Sequence, residues 1–178
     1  MCEELPTIAE IRQAIRNIPD FPQQGVQFKD ITPVLANPRL FNGSVELLVE
    51  GFKPGAVDAV VGIDARGFIF AAAAAVKLRA GFVPVRKKGK LPYKTIEQTY
   101  ELEYGTNTVA IHVDALQPGS RVLLIDDLLA TGGTAAAAAE LVKKLGAQIL
   151  QMGFLIELSY LKGRQRLEGY PVRTLVVY

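Results

Sequence analysis

Cysteine and histidine are almost missing from this chain: Cys2 and His112 are the single examples of each in 178 residues. One thiol cannot form an internal disulfide, so a disulfide framework is excluded and a reducing, cytoplasmic setting is expected. One thiol and one imidazole are also too few for a structural zinc cluster. Net charge is nearly absent as well. The 20 basic and 18 acidic residues leave +2, far from the basic stripe that a nucleic-acid partner requires. Long apolar runs are lacking too: the longest, Phe68 to Val76, is too short to span a bilayer. The opening MCEELPTIAE has acids where a secretory signal carries basic residues. The expectation is a soluble protein with neither membrane nor nucleic acid as partner.

What is present is apolar and periodic. A hydrophobic fraction of 49% and a mean hydropathy of +0.21 describe a chain that buries one sizeable core. Thr7 and Glu10 have capping-box spacing ahead of Ile8, Ile11 and Ile15, which share a helical face. The stretch IPDFPQQGVQFKDITPVLANP is broken by prolines and reads as an ordered loop, after which Asn37 and Pro38 start a helix. From there short apolar runs alternate with helical ones. DAVVGI, GFVPV, RVLLID, QILQMGFLIEL and TLVVY read as strands, FIFAAAAAVKL and AAAAAELVKKLG as helices. The alanine runs are strong helix formers that let a helix lie close on a sheet. This alternation predicts an α/β fold, a parallel sheet with helices on both faces, and a ligand site beyond the carboxyl ends of the strands.

One stretch carries chemistry most plainly: VLLIDDLLATGGT, residues 122–134. A strand run stops on Asp126 and Asp127, and a loop of small residues follows: Ala130, Thr131, Gly132, Gly133 and Thr134. If a helix begins there, its first N–H groups lack intrahelical partners and its dipole favours an anion. The glycines allow close approach and the threonines add hydroxyls, which suits one phosphate monoester. No lysine precedes Thr134, so this is not a P-loop of nucleotide hydrolases, and it lacks the GxGxxG spacing of dinucleotide binders. Two carboxylates beside a phosphate must face something other than that phosphate. A vicinal sugar diol offers two donors to groups that only accept, so the loop is expected to take a 5-phosphate and the acids the ribose hydroxyls. An acid-rich strand end that merely caps a helix uses the same residue types, but two acids and five small residues exceed what capping needs.

This stretch resembles the phosphoribosyl-pyrophosphate signature of the type I phosphoribosyltransferases. IPDFPQQGVQFKDITPVLANP, GIDARGFIF, VPVRKKGKLP and YELEYG resemble further blocks of that family, in its order, so the likeness covers nearly the whole chain. It implies one domain over 1–178 with the family's parallel-sheet fold. Residues 1–36 would give a helix and a small base-binding N-terminal hood, and residues 87–108 a mobile catalytic loop. The implied reaction, one of purine salvage, joins adenine to phosphoribosyl pyrophosphate, giving AMP and pyrophosphate. Mg²⁺ would be held through the substrate near Asp126 and Asp127, and the assembly would be a homodimer.

The resemblance also assigns residues. Asp64, Ala65 and Arg66 would hold the pyrophosphate, with a non-proline cis peptide among them, and Arg66 would act in catalysis. Its rigid fork of donors suits phosphate oxygens. Ala65 stands where the family often has serine. In VRKKGKLPYK, Lys87 and Lys90 would neutralise the leaving pyrophosphate, with Arg86 a weaker candidate; as sequence alone, the run also reads as a solvated turn. TYELEYG alternates like a β-ribbon, and Glu103 before Tyr104 matches the family's catalytic glutamate, with Tyr104 at the phosphoribosyl-pyrophosphate site. Phe28 and Leu158 would sandwich the purine, read by the backbone around Val26 and Gln27. His112 is read as structural. Two other readings share much of this pattern. A different purine base would change only the slot around Phe28 and Leu158, and a non-catalytic regulator sensing phosphoribosyl pyrophosphate would need an added nucleic-acid module.

Overall fold

The computed structural model describes residues 4–101 and 105–178, and the chain divides into two compact units, 1–47 and 48–178. The first unit starts on the expected capping box. Thr7 accepts from the Glu10 backbone while the Glu10 carboxylate accepts from Thr7, opening α1 (Ile8–Ala14). The proline-broken stretch that reads as loop is more ordered than that. It holds two short antiparallel strands, β1 (Arg16–Pro19) and β2 (Gln27–Asp30), then α2 (Thr32–Ala36). Its prolines sit where they do little harm, at the end of β1, in the turn and near the start of α2, so they shorten the elements without abolishing them. Helix α3 (Pro38–Leu48) starts at the Asn37–Pro38 pair, with the Asn37 side chain accepting from the Leu40 N–H at 3.1 Å.

The second unit is built on a sheet. Among the described residues its strands are β3 (Ala59–Ile63), β4 (Gly81–Lys87), β5 (Thr95–Glu101), β6 (Thr106–His112), β7 (Arg121–Leu129), β8 (Gln148–Glu157) and β9 (Val172–Val177), in the spatial order β5-β6-β4-β3-β7-β8-β9. The five strands from β4 to β9 pair in parallel, as the alternating pattern predicts. The other edge is antiparallel: β5 and β6 form a hairpin that joins the sheet through β4. Much of the span 87–108 is therefore paired strand.

Helices α4 (Gly67–Leu78) and α5 (Gly133–Lys144) follow β3 and β7 and take opposite faces. Val61, Ile63, Leu124 and Phe154 join the buried residues of α5 in one cluster. Gly62 points the other way, where an added Cβ would lie 2.7 Å from the Ala71 Cβ of α4. The alanine runs thus form close-packed helix faces: Ala71, Ala74, Ala138 and Ala139 are essentially inaccessible. Two short 3₁₀ turns, Ser159–Leu161 and Gly163–Leu167, lead from β8 towards β9. The carboxylate of buried Glu157 ends β8 and accepts a forked pair of bonds from Arg164, which pins that segment. No helix of the described residues is long and apolar enough to cross a membrane.

Candidate active site

Strand β7 does not stop at its acids. It runs two residues further to Leu129, because β8 continues the ladder alongside it and Leu129 pairs with Glu157. Asp126 and Asp127 therefore leave the sheet as consecutive strand residues rather than from the loop. The loop proper is Ala130–Thr131. Gly132 turns at φ +80°, and α5 begins at Gly133 with no side-chain cap. The first N–H groups of α5 are therefore left to whatever ligand the loop receives. A cavity of about 60 Å³ opens here, lined by Asp126 and by residues 128–135. A partner that sequence reading missed backs this loop. Gly163 lies so close that a Cβ on it would strike the Ala130 carbonyl oxygen, and a Cβ on Gly132 would strike the Gly163 carbonyl. Nothing local in KGRQR signals that approach, since it depends on a contact more than 30 residues away in the chain.

The acids are costly as placed. Burial raises the pKa of Asp126 well above its ordinary value, and the Asp127 charge raises it further. Burial also raises that of Asp127, while the Arg66 guanidinium opposes the shift through an ion pair. Asp126 accepts from the Asp127 N–H at 2.8 Å. Gly67, at the head of α4, allows this crowding, because any side chain there would meet the Asp126 carboxylate.

The second cavity, about 430 Å³, is of the size expected for a small-molecule site. Asp64, Ala65, Arg66, Lys87, Asp126, Asp127 and Thr134 all line it, together with Arg86, Tyr100 and Asn107. The Asp64–Ala65 peptide is cis, in the segment where the resemblance implied one. Arg86 braces this loop: its Nε donates to Asp64 at 3.0 Å and its Nη1 to the Lys90 carbonyl at 2.9 Å. Lys90 itself is not among the described residues lining the cavity, and Lys88 pairs with Glu97 at 2.7 Å. Tyr100 and Asn107 are lining residues that the strand pattern gave no reason to single out.

The remaining candidates lie elsewhere. Val26, Gln27 and Phe28 belong to the N-terminal unit, where Phe28 meets Phe21 edge to face at 5.1 Å and Gln27 accepts from Asn17 at 2.7 Å. Leu158 is buried in the second unit just past β8, its N–H donating to the Leu129 carbonyl at 2.9 Å. Glu103 and Tyr104 fall outside the described residues.

A family model described as a phosphoribosyl transferase domain matches residues 31–175. The chain belongs to the phosphoribosyltransferase family. An adenine phosphoribosyltransferase from Acidothermus cellulolyticus is 59% identical to this phosphoribosyltransferase over 162 residues, 91% of the chain and 92% of the relative. The crystal structure of adenine phosphoribosyltransferase from Rhodothermus marinus superposes with a TM-score of 0.92 at 52% identity, covering 96% of this chain and 98% of that one. The Saccharomyces cerevisiae enzyme, solved with an imino-altritol bisphosphate and adenine, has a TM-score of 0.88 at 44% identity, covering 94% and 97%.

Proposed function

We propose that this phosphoribosyltransferase transfers the phosphoribosyl group of phosphoribosyl pyrophosphate to adenine, forming AMP and pyrophosphate in purine salvage. One observation carries the reading: Asp126 lines both cavities. A substrate with its 5-phosphate on residues 130–134 and its pyrophosphate by residues 64–66 must lay its ribose across that carboxylate. The likeness to adenine phosphoribosyltransferases over nine-tenths of the chain supports adenine as the base.

Each residue then has work that its chemistry suits. The N–H groups at the head of α5 and the Thr131 and Thr134 hydroxyls take the 5-phosphate. Asp126 and Asp127 accept from the ribose hydroxyls, which compensates two carboxylates that burial otherwise penalises. Arg66 and Lys87 face the departing pyrophosphate, where fixed positive charge stabilises charge that develops as the bond breaks. Glu103 shares a proton with the imidazole ring of the purine as general acid or base. As candidates for the base, the N-terminal unit offers the Val26 and Gln27 backbone and the Phe28 ring, and the second unit, by itself, offers Leu158.

Among the described residues no group of three or more His, Cys, Asp or Glu side chains gathers to hold a metal ion. Two crowded acids fit a Mg²⁺ ion that takes most of its ligands from substrate and water. Such an ion would supply charge neutralisation to the diphosphate and ribose oxygens. A homodimer in the cytoplasm completes the proposal.

The test is product formation from phosphoribosyl pyrophosphate with adenine, hypoxanthine, guanine and xanthine in parallel. AMP is the expected product and adenine the preferred base. Turnover of another base with adenine left unchanged would refute the assignment.

A further inference from the structure

Thr134 has one hydroxyl proton, and the structure commits it away from the phosphate loop: its Oγ1 donates to the Tyr100 hydroxyl at 2.9 Å. Tyr100 is the penultimate residue of β5, on the antiparallel edge of the sheet, and its ring lies against the first residue of α5. A Cβ on Gly133 would sit 2.9 Å from the Tyr100 Cδ2. The ring also packs against the buried cluster beneath α5, and Gln98 of the same strand accepts from Lys144 at 2.8 Å near the far end of that helix. Tyr100 is thus held by ring packing independently of its hydroxyl. Tyr100 lines the larger cavity with Thr134 and the two acids.

We propose that Tyr100 is a positioning residue for the phosphomonoester, acting through Thr134. The inference rests on the reading that residues 130–134 take the 5-phosphate. A phosphate oxygen only accepts, so Thr134 can serve it only by turning its proton away from Tyr100. Hydroxyl rotors turn freely, and each hydroxyl both donates and accepts. When the anion arrives, the bond between the two side chains reverses. The Tyr100 O–H donates to the Thr134 Oγ1, and the Thr134 proton points to the phosphate. No proton changes owner. Two hydroxyls in series polarise one another, so the threonine becomes a stronger donor than it would be alone. Without the tyrosine, the Thr134 oxygen loses its donor and the threonine is no longer held in the donating rotamer.

The experiment measures ribose 5-phosphate and inorganic pyrophosphate binding by calorimetry to the parent, Tyr100→Phe, Thr134→Val and the double variant. Phenylalanine keeps the ring over Gly133. Tyr100→Phe is expected to weaken ribose 5-phosphate binding about five- to tenfold, within the net range of one hydrogen bond between uncharged groups. Pyrophosphate affinity is expected to stay the same, with KM for phosphoribosyl pyrophosphate rising and kcat within about twofold. On the Thr134→Val background the tyrosine substitution is expected to add nothing. Parent-like ribose 5-phosphate affinity in Tyr100→Phe overturns the proposal, as does the same loss on both backgrounds or an equal loss for pyrophosphate. Thr134→Val binding ribose 5-phosphate as the parent does overturns the phosphate-site reading itself. Thr134→Ser, which keeps the hydroxyl, is expected to retain both the affinity and its sensitivity to Tyr100→Phe.

Discussion

A carboxylate hemmed in by protein beside another acid ionises reluctantly, and half-buried Asp126, next to buried Asp127, is such a case. Its folded pKa is raised well above the ordinary 3.8, first by burial and then by Asp127. A raised acid contributes its stability below the unfolded value, and that contribution is lost as pH climbs through the folded one. Asp126→Asn should therefore melt higher than the parent at pH 7 to 8, with the gap closing towards pH 4. An amide oxygen still accepts from the Asp127 N–H. The same variant should bind phosphoribosyl pyrophosphate more weakly, since a neutral amide is the poorer acceptor for ribose hydroxyls. A parent that outlasts Asp126→Asn at pH 8 would show that the charge is compensated in the free protein. Glu103 makes a second residue-scale prediction. Glu103→Leu should leave binding of phosphoribosyl pyrophosphate nearly unchanged and slow the chemical step by roughly 10²- to 10⁴-fold, the usual contribution of one positioned acid or base. Glu101→Leu is the control, and single-turnover rates decide between them: a slow Glu101 variant, or two fast ones, removes Glu103 from the chemistry.

At the scale of elements, the phosphate loop depends on two glycine backbones in contact. Gly132 needs its glycine for φ as well as for space, whereas Gly163 lies outside the left-handed region and isolates the packing effect. Gly163→Ala should cost about 1 to 3 kcal/mol, the range for overpacking a tight contact, and should weaken ribose 5-phosphate binding. Urea titration and calorimetry read the two effects, and full retention of both would mean that the turn yields without disturbing the loop. Such contacts also mark where sequence reading ends. Strand β3 and the body of β7 are legible because strands covered on both faces are nearly all apolar, and α4 and α5 because alanine favours helix. The carboxyl end of β7 was not. Asp126 and Asp127 look like a strand's end, yet a ladder to β8 and a buried Leu129 carry the strand through them. The hairpin of β1 and β2 was hidden by prolines at tolerated positions, and the antiparallel edge by an alternation that fixes a strand but not its partner. The loop at 130–134 could be picked out because two acids and five small residues exceed what capping a helix needs, and the loop at 64–66 through the family resemblance. Tyr100 and Gly163 could not, because their roles exist only in three dimensions.

Across the whole molecule the charge pairs set an acid limit in each unit. Glu10 is lowered to about 2, chiefly by hydrogen bonds from Arg39, and Asp58 to about 2 by those from Arg121. Glu157 is lowered by Arg164. Lowered acids contribute stability above their unfolded pKa, 4.5 for Glu10 and 3.8 for Asp58, and that contribution disappears as pH falls towards 2. The melting temperature should thus fall through that window, opposite in sign to the Asp126 effect at higher pH. Asp58→Asn should melt lower than the parent at pH 7 and lose less on acidification. A parallel pair of melting curves would show Asp58 to be a bystander. These groups are exposed enough that salt should blunt the difference.

The central strand of the sheet has a consequence for how the chain is made. β3 lies between β4, which follows it within 20 residues, and β7, whose Leu124 pairs with Val61 from more than 60 residues further on. A ribosome releases the first neighbour early and the second late, so a growing chain carries β3 with one bare edge until β7 has left the exit tunnel. The phosphate loop follows β7 directly and cannot form before that edge is closed. A nascent chain stalled before Arg121 would present an unpaired apolar strand, a target for chaperones and for strand-to-strand association. Here the strand that closes the bare edge of β3 also leads straight into the anion site, while β8, β9 and the Gly163 contact are added after it.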